Sequence, residues 1–411
     1  GDHRDLHSFP TRRSSDLGTY RERLTIRRAV ELVGAGALET VVEVPFDNPL
    51  ARDPAVRARF DEALGRAAPD ERAAVRARLL RELGPQPVLA VEGTDGVVIR
   101  GVQCTLPGES EDGVVVPGAV VRLCDGSARV LDCAIVGAPC SGVVITGDGV
   151  VELRGCLVAA VDATGVHIDG AVGGAAPHVA IVDCDVRGCR HRGITIGRGN
   201  ASATISGCRI SGSLWHGIRY DDCAPTISGN LVFDNERSGI YASGSSAGTV
   251  SGNVFFDNGH GAISCWFASR DRVQGNTFVV GRARAGVSLC GAAAPRLEQN
   301  LFFGGAVAIA LADVADDRPD ALATGTVDLV DNAFAGVETR VSWRPAGAEE
   351  EVAAAFERGN RDAEAAFVDE AGRDFRQADH APLRAAGIGA VRAPSPVSPW
   401  PVLPAERVEG R

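Results

Sequence analysis

The chain of 411 residues carries a formal net charge of −11 and is 45% hydrophobic but only 5% aromatic, with 50 glycines. An acidic balance without a long basic run argues against nucleic acid as a partner, because phosphate-tracking surfaces are rich in Lys and Arg. No apolar run approaches the ~18 residues that a membrane-spanning helix needs, so we expect no membrane span. Small and aliphatic residues in such numbers favour an elongated repeat core over a globular one.

The sequence contains no methionine, even at position 1, so we expect its native start to be missing. Residues 1–17 resemble a translated sequencing adapter, and we treat them as an artefact or as disordered. The signal peptide of an exported protein would be lost together with the native start. We therefore expect a protein of the extracellular space, the periplasm or the cell envelope, with a cytoplasmic protein as the alternative.

An N-terminal cap with a helical insertion is predicted for residues 18–87. The apolar spacing between residues 22 and 33 favours a short amphipathic helix, and residues 40–45 alternate as in a strand. Asp53 precedes a proline, which is typical of a helix start. Two amphipathic helices are therefore expected in the insertion, over residues 53–67 and 69–83, packed on one end or flank of the repeats.

One pattern recurs from residue 88 to about residue 340 and predicts a stacked fold. Its clearest copies are TISGCRI at 204–210, TISGNLVF at 226–233 and TVSGNVFF at 249–256. Each copy has a Cys or Asn anchor, and the anchors follow one another in steps of 22 to 32 residues: Cys133, Cys156, Cys184, Cys208, Asn230, Asn253, Asn276, Asn300 and Asn332.

The residues around the anchors predict the kind of stack. Apolar residues stand three positions before and two positions after every anchor, and a glycine usually opens a second short strand further on. Short strands separated by turn residues, without helices between them, cannot build alternating strand and helix units. We therefore predict an all-β, single-stranded parallel β-helix of about ten coils.

The anchors are expected to be structural. Stacked asparagines can satisfy backbone groups of their own coil and bind the asparagine of the next coil. The four anchor cysteines stack at about 4.8 Å, whereas the Cβ atoms of a disulfide lie about 3.8 Å apart. We therefore expect a stack of buried thiols.

Three segments depart from the repeat. Loops at 171–178 and 312–326 lengthen two coils, and insertions on one face of a solenoid often carry its binding function. Residues 349–366 are predicted to be helical, at the start of a C-terminal cap and proline-rich tail that together cover 341–411.

The TISGN strands and the segment FVDEAGRDFRQADHAPLRAAGIG at 367–389 resemble right-handed parallel β-helix proteins of the pectin-lyase-like superfamily, in particular its carbohydrate-binding and NosD-like repeat group. The resemblance covers about residues 88–390 and implies a right-handed coil closed by a C-terminal capping segment. It leaves the chemistry open, because the superfamily holds lyases, hydrolases, epimerases, esterases and non-catalytic binders.

One strip of polar and aromatic side chains surrounds the glycine that opens the second strand of each coil. Guanidinium groups bind carboxylates, indole and phenol rings stack on sugars, and carboxylates and imidazoles transfer protons. We therefore predict a groove for a polysaccharide or a cell-envelope glycan. The candidate substrate-binding residues are His191, Arg192, Trp215, Asp221, Asp222, Arg237, His260 and Trp266, and the candidate catalytic residues are His216, Arg219 and Tyr241.

Three functions remain open. The favoured hypothesis is binding of a polysaccharide through the strip, which leaves catalysis open. The alternative is a carbohydrate-active enzyme such as a uronate lyase, in which Arg219 neutralises the carboxylate and Tyr241 or His216 abstracts the proton. A NosD-like accessory protein or a purely structural envelope protein is the third hypothesis.

Neither a metal centre nor a cofactor is expected. His216 and His260 lie two coils apart, about 10 Å, whereas ligands lie about 2 Å from zinc. Asp221 and Asp222 offer oxygen ligands for calcium, but too few are identified for a site. The DDC at 221–223 and the GHG at 259–261 look like polygalacturonase motifs, yet their order and spacing differ and the family's other motifs are missing, which argues against a hydrolase.

Overall fold

The structure is a computed structural model and describes residues 3–5, 18–68, 72–108, 118–169, 176–197, 202–281, 283–311, 327–342, 358–379, 381–390 and 398–401. The predicted loop at 312–326 and most of the loop at 171–178 lie outside these residues. So do residues 349–357 of the predicted C-terminal helix. The rest of that prediction is wrong, because residues 358–366 contain a short strand, Arg361–Asp362, and no helix.

The described chain divides into two compact units: Gly1–Ala180, Gly188–His191 and Trp400–Arg411 form the first, and Ile181–Arg187 and Arg192–Pro399 form the second. The strands of the first unit are β1 His3–Asp5, β2 Gly18–Tyr20, β3 Arg23–Ile26, β4 Glu31–Val33, β5 Thr40–Glu43, β6 Leu89–Glu92, β7 Val97–Arg100, β8 Gln103–Thr105, β9 Ala119–Cys124, β10 Ala128–Leu131, β11 Ala134–Ala138, β12 Ser141–Thr146, β13 Val150–Arg154, β14 Leu157–Val161 and β15 Val166–Asp169. They pair in the order β1-β3-β6-β9-β12-β15 in sheet A, β4-β7-β10-β13 in sheet B and β2-β5-β8-β11-β14 in sheet C.

The division falls within β16, His178–Val182. The second unit contains β17 Asp185–Arg187, β18 Ile194–Ile196, β19 Thr204–Ser206, β20 Arg209–Ser211, β21 Ile218–Asp221, β22 Thr226–Ser228, β23 Leu231–Phe233, β24 Ser238–Ser243, β25 Thr249–Ser251, β26 Val254–Phe256, β27 Gly261–Trp266, β28 Arg272–Gln274, β29 Thr277–Val279, β30 Ala285–Cys290, β31 Arg296–Glu298, β32 Leu301–Phe303, β33 Val307–Ala310, β34 Asp328–Val330, β35 Ala333–Ala335, β36 Thr339–Ser342 and β37 Arg361–Asp362. Its sheet A runs from β18 to β36, its sheet B from β19 to β34 and its sheet C from β17 to β37, each taking about every third strand.

Consecutive strands thus enter consecutive sheets, and each coil adds one parallel strand to each sheet. The predicted all-β, right-handed parallel β-helix is confirmed, with about 12 turns where about ten were expected. One extra coil lies near the N-terminus, where the predicted helix over 22–33 is wrong. Leu24 pairs with Leu89 and Leu32 with Ile99. Leu24 and Ile26 are buried at a spacing of two, the period of a strand.

The helical insertion is confirmed between β5 and β6. It consists of α1 Pro49–Arg52, α2 Pro54–Arg66 and α3 Arg72–Leu83. Asp53 begins α2 as predicted, because its carboxylate accepts the backbone N–H of Ala55 at 2.9 Å. Leu50, Phe60 and Leu79 form a small core among the helices. No helix in the described part of the chain is long and apolar enough to cross a membrane.

The core of the coils follows the two predicted apolar columns. All eighteen side chains that stand three residues before or two residues after an anchor are buried. They fix the inward faces of sheets B and C, because the side chains of a strand alternate between two faces. The outward faces are therefore formed by the residues between them.

The predicted asparagine ladder is confirmed and is longer than expected. Asn253 is representative: its Oδ1 accepts the backbone N–H of Asn230 at 2.8 Å, and its Nδ2 donates to the carbonyl of Ile227 at 3.0 Å. Beyond Asn332 the ladder continues to Asn360, whose Oδ1 accepts from Asn332 Nδ2 at 3.0 Å. Buried backbone groups at this bend are thereby paired.

A second, unpredicted ladder braces the turn before β24. Asn235 Nδ2 donates to Asn258 Oδ1 at 2.9 Å, and Asn235 Oδ1 accepts the backbone N–H of Ser213 at 3.1 Å. The repeated letters FDN at 233–235 and 256–258 were its signal in the sequence. Asn235 stands two residues before Arg237, so this ladder helps to hold the turn that carries Arg237.

The predicted stack of buried thiols is confirmed. All eleven cysteines are buried thiols. Burial raises the pKa of Cys140 and of Cys189 to about 12. Cys140 and Cys189 are therefore protonated at neutral pH and lack the thiolate character that reactive cysteines need.

The C-terminal segment packs along the outer face of sheet C in the second unit. It forms an antiparallel hairpin of β38 Phe367–Asp369 and β39 Asp374–Gln377, followed by the short helix α4 Pro382–Ala385. Phe375 packs on Phe256, with ring centres 5.3 Å apart. Arg373 binds Asp234 at 2.9 Å and also pairs with Asp257.

Candidate functional site

The candidate site lies on the outer face of sheet A in the second unit. Arg219 of β21 pairs with Tyr241 of β24, which pairs with Ser264 of β27. Ile218 and Ile240, their neighbours in the chain, are fully buried. Arg219 and Tyr241 therefore face outward, because adjacent residues of a strand face opposite sides. Positions of the strip repeat at the coil spacing of about 4.8 Å.

Aromatic rings form a continuous line across three coils of the strip. The ring of His216 lies 4.6 Å from that of Tyr241, and Tyr241 lies 5.8 Å from Trp266. At the other end, Trp215 meets His216 edge-on at 6.5 Å. Tyr241 and Trp266 are half-buried, so their rings remain accessible on the sheet surface.

Trp215 is held by two arginines from neighbouring turns. The Cζ atom of Arg237 lies 4.1 Å from the centre of the indole ring, and that of Arg192 lies 5.2 Å from it. Such cation–π contacts orient both the ring and the guanidinium groups. Trp215 nevertheless keeps 36% of its surface exposed.

Arg219 is positioned by a carboxylate and by a ring. Its Nε lies 2.8 Å from Asp221 Oδ2, and its Cζ lies 5.6 Å from the centre of the Tyr241 ring. Asp221 also accepts a hydrogen bond from the hydroxyl of Ser243. Asp221 thus fixes the direction of Arg219 and partly neutralises its charge.

Positive charge nevertheless dominates this part of the strip. Burial, together with the charges of Arg219 and Arg237, lowers the pKa of Arg192 to about 10, while Asp221 opposes the shift. Arg192 therefore remains protonated at neutral pH. Three guanidinium groups, those of Arg192, Arg219 and Arg237, thus act on one another beside the carboxylate of Asp221, an arrangement that favours an anionic ligand group.

His216 is neutral and largely enclosed. Burial lowers its pKa to about 2, with further contributions from Arg192, Arg237, Arg219 and His260. Its Nδ1 accepts the backbone N–H of Ser238 at 3.3 Å. The ring proton therefore resides on Nε2, and in this state the side chain offers a hydrogen-bond donor. Tyr241 is then the better placed of the two candidates for a base.

The remaining predicted residues are placed less centrally. Asp222 lies in the turn after β21 with φ of 49°, and its Oδ1 accepts the backbone N–H of Ser245 at 2.8 Å. His260 is half-buried in the turn before β27 and close enough to His216 to lower its pKa. His191 belongs to the first unit, where its backbone N–H donates to Ala163 at 3.3 Å.

Within the residues that the structure describes, no group of three or more His, Cys, Asp or Glu side chains is arranged to hold a metal ion. The carboxylates of Asp221 and Asp222 are engaged in hydrogen bonds with the protein. The expectation that the chain holds no metal centre stays a prediction, and calcium at these two residues would require them to exchange those partners.

Three residues that sequence reasoning missed also contribute to the site. Ser238 and Ser243 hold His216 and Asp221, but a serine in a turn-rich repeat gives no distinctive signal. Phe267 lies next to Trp266, with ring centres 6.0 Å apart. The adjacent letters WF in an aromatic-poor chain were a signal that could have found it.

Comparisons with known proteins agree with this architecture. The profile of the family described as right handed beta helix region matches residues 118–278 and 192–337. No curated protein matches the chain.

Two solved structures are similar in fold. The A-module of mannuronan C-5 epimerase AlgE4 from Azotobacter vinelandii has a TM-score of 0.53 and 14% identity, over 80% of this chain and 88% of that one. The periplasmic alginate epimerase AlgG has a TM-score of 0.54 and 11% identity, over 84% of this chain and 76% of that one. At such identities the likeness concerns the fold alone.

Proposed function

Because the chain belongs to the right-handed β-helix family, we propose that it binds a polysaccharide through the strip on sheet A of its second unit. The observation that carries the proposal is the line of rings from Trp215 to Trp266, bordered by three arginines on the outer face of sheet A. Aromatic rings offer faces to sugar rings, and guanidinium groups bind carboxylates in a fixed geometry. The same surface therefore suits a chain of sugars that carries acidic groups.

The comparisons support the ligand class without fixing it. AlgE4 is a mannuronan C-5 epimerase, and AlgG is a periplasmic alginate epimerase. Polysaccharides are thus ligands of other proteins with this fold. The same proposal places the protein's action in the periplasm or the cell envelope.

The proposal is tested by native gel electrophoresis in gels that contain alginate, polygalacturonate or dextran. We expect retardation by an acidic polysaccharide, and an apparent affinity that falls about tenfold in Trp215→Ala and in Arg219→Ala. Trp215→Ala removes the ring at one end of the line, and Arg219→Ala removes the guanidinium group beside Tyr241.

Arg272→Ala is the matched control. Arg272 is also an arginine on an outer sheet face with a carboxylate partner, Glu298 at 3.2 Å, but it lies on sheet B. The affinity of the Arg272→Ala variant for the polysaccharide should equal that of the unaltered protein. Migration unaffected by every polysaccharide in the panel would overturn the proposal.

A lyase that acts on uronates is the second candidate. Arg219 and Tyr241 are neighbours, so a cation for the substrate carboxylate and a candidate base for the proton lie together. The absorbance of unsaturated uronate, followed with each polysaccharide that binds, separates the candidates. Product formation favours the lyase, and binding without product favours a binding protein.

A further inference from the structure

In several coils the turn after the strand of sheet A places one residue in the left-handed backbone region. In four coils of the second unit this residue is Asp222, Gly244, Phe267 and Gly291, with φ of 49°, 70°, 60° and 66°. They occupy equivalent positions, because Asp221 pairs with Ser243 and Trp266 with Cys290. Glycine and aspartate tolerate positive φ, whereas a bulky aromatic residue there is an outlier.

Burial does not account for Phe267 at this position. Its side chain is 60% exposed, whereas Phe255, Phe278 and Phe302 are fully buried in the interior. A phenyl group that served mainly to stabilise the coil would be expected among them. Strained and exposed residues are characteristic of ligand-binding sites, where the surrounding structure holds them in place.

The ring of Phe267 continues the aromatic line of the strip. Trp266 lies 6.0 Å from Phe267 and 5.8 Å from Tyr241. Gly244 and Gly291, at the same position in the coils on either side, have no side chains that would cover the ring. Gly291 has little room for one, since a Cβ atom there would lie 3.2 Å from the Cα of Phe267.

We propose that Phe267 is a stacking platform for a sugar ring, which adds a subsite to the glycan site at the turn beyond Trp266. This rests on the proposed function, because it names a further contact for the same ligand. The platform is uncharged, so it binds the apolar face of a pyranose, while the arginines around Trp215 bind acidic groups further along the chain. Long oligosaccharides therefore reach both ends of the strip, and short ones reach only one.

The test compares Phe267→Gly and Phe267→Asn with the unaltered protein. Both replacements tolerate positive φ and remove the ring. We expect the melting temperature to stay constant or to rise by about 1–3 °C, because strain is relieved. Affinity for a long alginate oligosaccharide should fall about 3- to 10-fold, the effect of one lost aromatic contact, with a smaller loss for a short oligosaccharide.

Val150→Ala is the control for an exposed apolar residue, because Val150 is also 60% exposed but lies in the first unit, on sheet B. A melting temperature lowered by several degrees in both Phe267 variants would show that the ring stabilises the coil and would overturn the inference. So would unchanged affinity for the long oligosaccharide while Trp215→Ala loses binding. If the unaltered protein binds no polysaccharide, the proposed function itself fails.

Discussion

Single residues of the strip owe their state to burial and to their neighbours. His216 stands beside three arginines and is held neutral, so it cannot compete with them for an anionic group. Asp221 is the carboxylate that directs Arg219. The strip is therefore a cationic surface with one orienting acid, and acid–base pairing within it is limited.

A pH dependence of stability follows from His216. Its folded pKa of about 2 lies below the ordinary value of 6.5. Between these values the unfolded state takes up a proton that the folded state does not. The contribution of His216 to the free energy of unfolding is therefore fully present above pH 6.5 and is lost progressively as the pH is lowered. We expect the melting temperature of His216→Asn to fall less between pH 7 and pH 4 than that of the unaltered protein.

The asparagine in this variant keeps an acceptor for the backbone N–H of Ser238 while removing the titrating ring. Thermal denaturation at several pH values provides the measurement. Carboxylates titrate equally in both proteins, so the difference between the two slopes isolates His216. Parallel slopes would contradict a buried neutral ring.

The positions in the strip could be predicted from the sequence, but their contacts could not. Arg219 and Tyr241 stand at the same offset from successive anchors, and in-register stacking turns equal offsets into neighbours. The clamp of Arg192 and Arg237 on Trp215 depends on side-chain rotamers, which the repeat does not encode. The adjacent letters WF could have pointed to Phe267, but its positive φ is visible only in the structure.

At the scale of elements, the anchors make the coils predictable. Where an Asn anchor and its flanking apolar residues recur, the positions of the strands, the bend and the inward-facing side chains can all be predicted. The N-terminal coil lacks this signature, and its apolar residues between 22 and 33, taken together, fit the spacing of a short helix as well as that of strands. Only pairing with the following coil, Leu24 opposite Leu89, decides between them.

The ladder predicts a specific stability loss. Asn253→Ala removes an acceptor for the N–H of Asn230 and a donor to Ile227, both fully buried. We expect a loss of about 1–3 kcal/mol in the free energy of unfolding, the cost of unsatisfied buried groups. Thr249→Ala, on the exposed face of the same coil, should change it by less than about 0.5 kcal/mol. Equal values for the two variants in denaturant titrations would rule out a stabilising ladder.

At the scale of the whole molecule, one coil design serves both scaffold and surface. Anchors, thiols and apolar columns occupy the interior of both units, while the outer faces differ from sheet to sheet. In the second unit sheet A carries the arginines and rings, and sheet B carries hydroxyl rows such as Thr226 opposite Thr249. This face of hydroxyl groups is the alternative to the strip as a glycan-binding surface.

Oxidative footprinting with mass spectrometry tests the central claim most directly, because it reports which side chains a bound glycan covers. Alginate is added at a concentration that gives full retardation in the gel. We predict reduced oxidation of Trp215, Tyr241 and Trp266, with Val150 unchanged. Full oxidation of the three strip rings while the glycan is bound would contradict the account and place the binding surface elsewhere.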